Sequence, residues 1–401
     1  MSCGAPLSST ARSLSTRAVH PPRPPAQPGV PVAPTLEPST TFSFDDAGEF
    51  ARASAEKVGA GYTYSRWANP TVDAFEAAVA DLEGAPAAEA FSSGMAAISA
   101  VFFSLCRAGD HLVAARQLYG GCHELISTIL PRFGISARLL DVTDHDGIAA
   151  ALEGARLLYC ETIGNPRVQV ADLDALGTLA EEAGVPLVVD NTFASPCLCR
   201  PLEHGATAVV HSATKFLGGH HDLLGGVVCG DGDFVSQLQA LARDLGATLS
   251  AFNAWLALRG LATLALRVER SCDSALVVAQ ALQRHPAIAE VHYPGLEQDP
   301  GKLLADKLLE GRGGGVLGFE VSGGRKRAAR FQEALTLVTP AASLGGHHSL
   351  LVHAASITHT QLSSTELEAA GISEGFCRLS VGLEDPADLV LDLTQALDGL
   401  A

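Results

Sequence analysis

The chain has no apolar run of the roughly 18–20 residues needed to cross a bilayer, and its opening, MSCGAPLSSTARSLSTR, has no apolar signal core. Both absences lead to the expectation of a cytoplasmic protein. Basic charge is scarce as well: 27 lysines and arginines stand against 44 acidic residues, a net charge of −17. Nucleic acid and anionic lipid both demand a basic face. The expected partners are therefore small molecules and further copies of the chain, with no nucleic acid and no membrane. The nine cysteines, at 3, 106, 122, 160, 197, 199, 229, 272 and 377, show no repeated spacing. An odd, patternless set fits reduced thiols rather than a disulfide framework. Cys197 and Cys199 lack the two-residue gap of a zinc knuckle or redox pair and read as packing thiols. Internal repeats are absent too.

What is present is enough apolar material for large cores. Hydrophobic residues make up 47% and charged residues 18% of 401, and single cores rarely grow beyond roughly 250–300 residues, so two domains are expected. Residues 20–38 hold eight prolines, which fix φ and remove donors, so this stretch reads as an extended arm. From about residue 71 short apolar strands (111–115, 156–162, 185–192, 208–214, 225–230) alternate with helical stretches (71–83, one opening at Ser92-Ser93-Gly94, 172–184). That alternation predicts a mostly parallel α/β sheet covered on both faces. A long helical region from about 251 links it to a second, α+β domain, with strands at IAEVHYPG, GGVLGFEVSG and FCRLSVG and a helix near 325–335. The expected division is an arm over 1–62, a large domain over 63–255 and a small one over 256–401.

Several residues stand where chemistry is done. In VVHSATKFLGG a buried strand ends in Ser212, Thr214 and Lys215. Ligands of α/β sheets bind outside the carboxyl ends of strands, and a lysine there with a depressed pKa is a Schiff-base nucleophile; the alternative is a surface lysine on a loop. In VPLVVDNT, Asp190 follows four apolar residues. It can pair with a protonated heterocyclic nitrogen such as the pyridinium of pyridoxal phosphate (PLP), or serve as a turn or cap. The Ser-Ser-Gly start of the helix at Gly94 and Met95 offers free N–H groups to a phosphate, or is an ordinary N-cap. Tyr119, in a Tyr-Gly-Gly turn, could stack on a flat cofactor or sit on the surface. Arg378, inside an apolar strand pattern, needs a fixed anion: a substrate carboxylate or a structural salt bridge.

Two other patterns fail on context. Gly313, Gly315 and Gly318 spell a dinucleotide motif, but a helix precedes them and a strand follows, the reverse of the required order. His220-His221-Asp222 and His347-His348 resemble metal ligands, yet neighbours on an extended segment point to opposite sides, so no metal is expected.

In these motifs and their order the chain resembles the Cys/Met-metabolism family of PLP enzymes, from about residue 15 to 395. The motifs are YTYSRWANPT (62–71), SSGMAAI (92–98), YGG (119–121), ETIGNP (161–166), VVDNT (188–192), HSATKFLGGH (211–220), SLGG (343–346) and RLSVGLED (378–385). The resemblance implies PLP fold type I, the aspartate-aminotransferase-like fold with a mostly parallel seven-stranded sheet, and a homotetramer of two tight dimers on which the arm would lie. It implies that Lys215 is the Schiff-base lysine and proton shuttle, that Asp190 holds the pyridine nitrogen, and that Gly94, Met95, Ser212 and Thr214 bind the phosphate. Tyr64 and Arg66 would reach a neighbouring subunit's phosphate. Tyr119 would stack on the ring, Asn165 would lie near the phenolic oxygen, and Ser343 with Arg378 would address the substrate carboxylate.

Two departures bear on substrate. Where family lyases and synthases usually carry glutamate, His348 stands near the expected distal end of the substrate, which points away from cystathionine. Gly121 occupies the place of the methionine γ-lyase cysteine, with Cys122 displaced by one. The reaction implied is γ-elimination from a sulfur amino acid, with γ-replacement on an O-acylated homoserine as the alternative. A non-catalytic binding protein is opposed by the joint presence of Lys215, Asp190, Tyr119 and Arg378.

Overall fold

The computed structural model describes residues 12–22, 31–56, 61–357 and 373–400. Cys3 and the middle of the proline stretch lie outside them. Seven strands form one sheet: β1 (Ala87–Phe91), β2 (His111–Ala115), β3 (Ser136–Leu140), β4 (Leu158–Glu161), β5 (Leu187–Asp190), β6 (Ala208–Ser212) and β7 (Gly226–Gly230). Their spatial order is β1-β7-β6-β5-β4-β2-β3. The pairs from β3 through β2, β4 and β5 to β6 are parallel, whereas β7 runs antiparallel to both β6 and β1. Strands β4 and β5 are buried along their whole length, which is why they read as unbroken apolar runs. Sequence reading finds β2, β4, β5, β6 and β7 but passes over β1 and β3. Their texts are poor in the β-branched and aromatic residues that mark strands: SARLL has none and AAEAF only its final Phe91.

The covering helices have local causes. In helix Pro70–Glu83 Asn69 caps the first turn, proline stands at its first position, and Gly84 ends it with φ 72°, the expected asymmetry of helix termini. The region from 251 is two helices, Ala251–Leu261 and Leu264–Gln283, broken at Ala262-Thr263. The second helix gives Leu264, Val268 and Cys272 to the core of the large sheet and Ala275, Val278, Ala279 and Leu282 to a second core. That core lies under a five-stranded sheet ordered β10-β11-β12-β9-β8, made of β8 (Ile288–His292), β9 (Val316–Val321), β10 (Thr339–Pro340), β11 (Leu350–His353) and β12 (Phe376–Ser380). The expected α/β layout with a smaller α+β sheet is thus present.

The segment before residue 62 is not uniformly extended. It carries helices Leu14–Val19 and Ala47–Glu56; in the first, Arg17 is buried against Asp81 at 2.9 Å. Near the arm's end Trp255 Nε1 donates to the Pro34 carbonyl at 2.9 Å, and Glu37 N donates to Thr71 Oγ1 at 2.9 Å. Among the described residues, no helix is long and apolar enough to cross a membrane.

Candidate functional site

The parallel strands deliver polar residues to one rim: β4 ends in Glu161, β5 in Asp190 and β6 in Ser212, with Glu161 and Asp190 in register. Beyond β6 the chain turns at Lys215, whose N–H donates to Ser212 O at 3.2 Å. The Lys215 ammonium donates to Ser343 Oγ at 3.0 Å. Its pKa is pushed down to about 8, first by burial and then by the charge of Arg378, so roughly a tenth of the amine is free of its proton at pH 7, far more than for an ordinary lysine. Asp190 Oδ1 accepts from Thr192 N at 2.9 Å, and Tyr159 OH donates to Oδ2 at 3.4 Å. Burial nevertheless raises the Asp190 pKa above the usual carboxylate range. A cation placed against this carboxylate would be favoured.

An anion cradle adjoins them. Helix Gly94–Leu105 begins at Ser93, whose Oγ accepts from Ala96 N at 3.1 Å, leaving other first-turn N–H groups open. A Cβ on Gly94 would fall 2.7 Å from Ser212 Cβ, so only glycine lets this turn close on the β6 end. Thr214 Oγ1 completes the ring of donors and is held by Gly225 N at 3.1 Å.

The opposite wall comes from the small sheet. Arg378, on β12, donates from Nη1 to Asn165 Oδ1 at 2.8 Å and from Nη2 to Ser343 O at 3.2 Å. Its guanidinium carbon lies 6.0 Å from the centre of the Phe193 ring. Burial lowers its pKa to about 10, partly offset by Glu161. Among the described residues it makes no salt bridge, so the alternative of a structural ion pair drops away. Ser343 sits at φ 135°, a region non-glycine residues rarely occupy and one that recurs at ligand clamps. Glu161 accepts from Tyr119 N at 2.6 Å and Asn165 N at 3.0 Å. Burial, and then the nearby Asp190, push its pKa well up. Tyr119 is half exposed over this space, and a Cβ on Gly121 would strike its ring at 2.6 Å. The glycine is what lets the ring lie there, while Cys122 is buried and is not among the cavity's lining.

Lys215, Tyr119, Gly94, Met95, Asn165, Asp190, Ser212, Thr214, Ser343 and Arg378 all line one cavity of about 430 Å³. Its donor set fits PLP: an amine, a carboxylate facing a ring position, and a helix N-terminus with two hydroxyls for a phosphate. Three expected residues are not among its lining. Tyr64 is exposed, and Arg66 donates to Arg243 O at 2.7 Å. His348 stands with His221 and His347. Sequence reading saw Ser93 only as part of the Ser-Ser-Gly helix start and missed Glu161 and Phe193; all three also line the cavity. Glu161 opens the ETIGNP motif and Phe193 follows VVDNT, but nothing local distinguishes a wall residue from an ordinary core one.

The geometric reason for dismissing the histidines needs correction. The loop 343–349 is not extended; with Gly345 at φ 73° it folds so that the His347 and His348 rings lie 4.1 Å apart. Cys197 and Cys199 are free thiols whose pKa values burial lifts to about 12.

Comparison with known proteins agrees with this geometry. The family described as Cys/Met metabolism PLP-dependent enzyme matches residues 15–398. L-methionine gamma-lyase of Pseudomonas putida is 41% identical, covering 97% of this chain and 98% of that one. O-acetyl-L-homoserine sulfhydrylase of Leptospira meyeri is 39% identical over 90% of this chain and 91% of its own. The crystal structure of cystathionine gamma synthase from Xanthomonas oryzae pv. oryzae, in complex with aminoacrylate and cysteine, superposes with a TM-score of 0.91 at 36% identity, covering 97% of this chain and 98% of that one. With near full-length matches in sequence and fold, and a cavity whose donors suit the cofactor, the chain belongs to the Cys/Met metabolism family of PLP-dependent enzymes.

Proposed function

We propose that the protein catalyses γ-elimination on a sulfur amino acid of the cystathionine, homocysteine or methionine type. Water is consumed, and a thiol, ammonia and a 2-oxo acid are released. One observation carries the reading: the Lys215 amine, the Asp190 carboxylate and the Arg378 guanidinium face one cavity, and none is ion-paired with another described residue. PLP, when bound, withdraws electrons from the bonds at the substrate α-carbon. Lys215 anchors the cofactor and carries protons between Cα, Cβ and the leaving sulfur, a role suited to an amine titrating near neutrality. Asp190 would face the ring nitrogen and keep it protonated. Gly94, Met95, Ser212 and Thr214 would hold the phosphate, Tyr119 would cover the ring, and Asn165 would border its phenolic oxygen. Arg378, positioned by Ser343 and Asn165, grips the substrate carboxylate.

γ-Replacement on an O-acylated homoserine uses the same residues, and the named sulfhydrylase and synthase relatives favour keeping it as the second reading. Holoenzyme incubated with methionine, homocysteine, cystathionine and O-acetylhomoserine, with and without added thiol, separates the two. Elimination yields 2-oxobutanoate regardless of thiol, whereas replacement converts the ester and thiol to a thioether. Neither product from any substrate would end the proposal.

We also propose a cytoplasmic homotetramer in which Tyr64 and Arg66 complete a neighbour's site. Their place outside their own chain's cavity lining supports this. Mixing inactive Arg66→Ala and Lys215→Ala subunits should restore up to about a quarter of wild-type sites on random exchange. Verified hybrids without recovery would put both residues in one subunit's site.

A further inference from the structure

Outside the cavity, three imidazoles meet from two distant segments. The ligand nitrogens of His221, His347 and His348 all lie within 4.8 Å of one another, and the His221 and His347 rings are centred 5.7 Å apart. Tetrahedral zinc with bonds of about 2.0–2.1 Å needs nitrogens about 3.4 Å apart, so side-chain shifts of roughly 1 Å would close the site. The scaffold is firm. Leu383 N donates to His347 O at 2.9 Å, and Ser349 N and Oγ donate to the Glu384 carboxylate at 2.7 and 2.8 Å. His221 is held at φ 60° with its ring against Gly346. His347 Nδ1 is buried without a hydrogen-bond partner, a state that costs free energy unless something fills it. None of the three rings is ion-paired to a described carboxylate.

From this arrangement we infer that His221, His347 and His348 form a binding site for a divalent transition-metal cation of the zinc class, with water completing its shell. The site spans a seam. His221 follows Lys215 along one segment, and His347 and His348 follow Ser343 along the other; the two segments already touch through the Lys215–Ser343 hydrogen bond. A bound ion would tie together the segments carrying Lys215 and Ser343, and would raise thermal stability by linkage. The inference does not depend on which amino acid the enzyme consumes.

The test uses metal-stripped holoenzyme without a histidine tag, titrated with Zn2+ by calorimetry and with Co2+ by visible absorption. About one ion per chain should bind, raise the melting temperature, and give cobalt d–d bands without a thiolate charge-transfer band. His221→Ala and His348→Ala alter exposed side chains, and retained PLP absorbance would report an intact fold. Each should weaken binding by at least about 10- to 100-fold, the loss that even outer-shell partners cause. Glu320→Gln, in the separate Glu290, His292 and Glu320 group, should bind as wild type does. No stoichiometric binding, thiolate bands with cobalt, unchanged affinity in both histidine variants, or loss in Glu320→Gln alone would each overturn the inference.

Discussion

Two arginines, one lining the cavity and one behind the turn that follows Lys215, are alike in burial and differ in what satisfies them. Arg267, on helix Leu264–Gln283, and Arg378, on β12, are each 6% exposed, and burial pushes both down to about 10. Arg267 spends its donors on the fold: Nη1 on Phe216 O at 2.7 Å, Nη2 on Gly260 O at 2.7 Å and Nε on Thr263 Oγ1 at 3.1 Å. It pins the turn that follows Lys215. Among the described residues Arg378 uses one amide oxygen and one longer carbonyl contact, and it lines the cavity. A buried guanidinium with five donors is either fully used by the protein or kept for an anion. Depth and pKa alone do not tell the two apart.

Lys215 stands between them, its amine joined to Ser343 on the Arg378 side and its turn held from the Arg267 side. Lys215→Ala should therefore give the largest effect of all, loss of turnover and of the cofactor's visible band, with the melting temperature nearly unchanged. Borohydride trapping and peptide mapping check the assignment, and a label on a different lysine would remove it. Next comes Arg378→Ala. Losing a charge-assisted fork to the substrate carboxylate should cost about 3 kcal/mol, roughly a hundred-fold in kcat/KM, carried mostly by KM. Arg267→Ala should do the converse. It leaves buried carbonyls unmet and should lower unfolding stability by about 2–4 kcal/mol, while the folded fraction keeps its KM. Denaturant midpoints and Michaelis curves on both variants decide it; matching profiles would erase the distinction.

The smallest effect is on pH. Only the neutral amine captures PLP, so reconstitution of apoenzyme should speed up as pH rises through about 8, the depressed Lys215 pKa, rather than through the ordinary value of 10.5. Arg378→Ala removes a cation that contributes to the depression, so the midpoint should move upward. Arg267→Ala should leave it in place, because Arg267 is not among its causes. A midpoint unmoved by the loss of Arg378 would mean that burial alone sets the amine's acidity.

Much of the site was legible because β5 and β6 are buried on both faces. Their apolar runs announce where a strand stops, and Asp190 and Lys215 stand just there. Arg378 was legible as a charge inside an apolar strand. Ser343 was not, since a serine in a glycine-rich loop carries no local mark; it entered only through resemblance. Phe193 and Glu161 were hidden for a related reason, as a ring after a motif or a carboxylate at its start looks the same whether it faces a core or a cavity. The closeness of the His347 and His348 rings was not legible, because alternation along an extended segment does not hold in a loop that folds back at Gly345.

By itself, then, the chain's pattern determined the α/β class, the strands that carry the site and the family, because burial repeats with a local period and motifs occupy contiguous residues. The tertiary structure alone decided which buried charges lack an ion-pair partner among the described residues. It separated Arg378 from Arg267, set Tyr64 and Arg66 outside their own chain's cavity lining, and gathered His221 with His347 and His348. Partnership is a contact between residues far apart in the chain, and no periodicity encodes it.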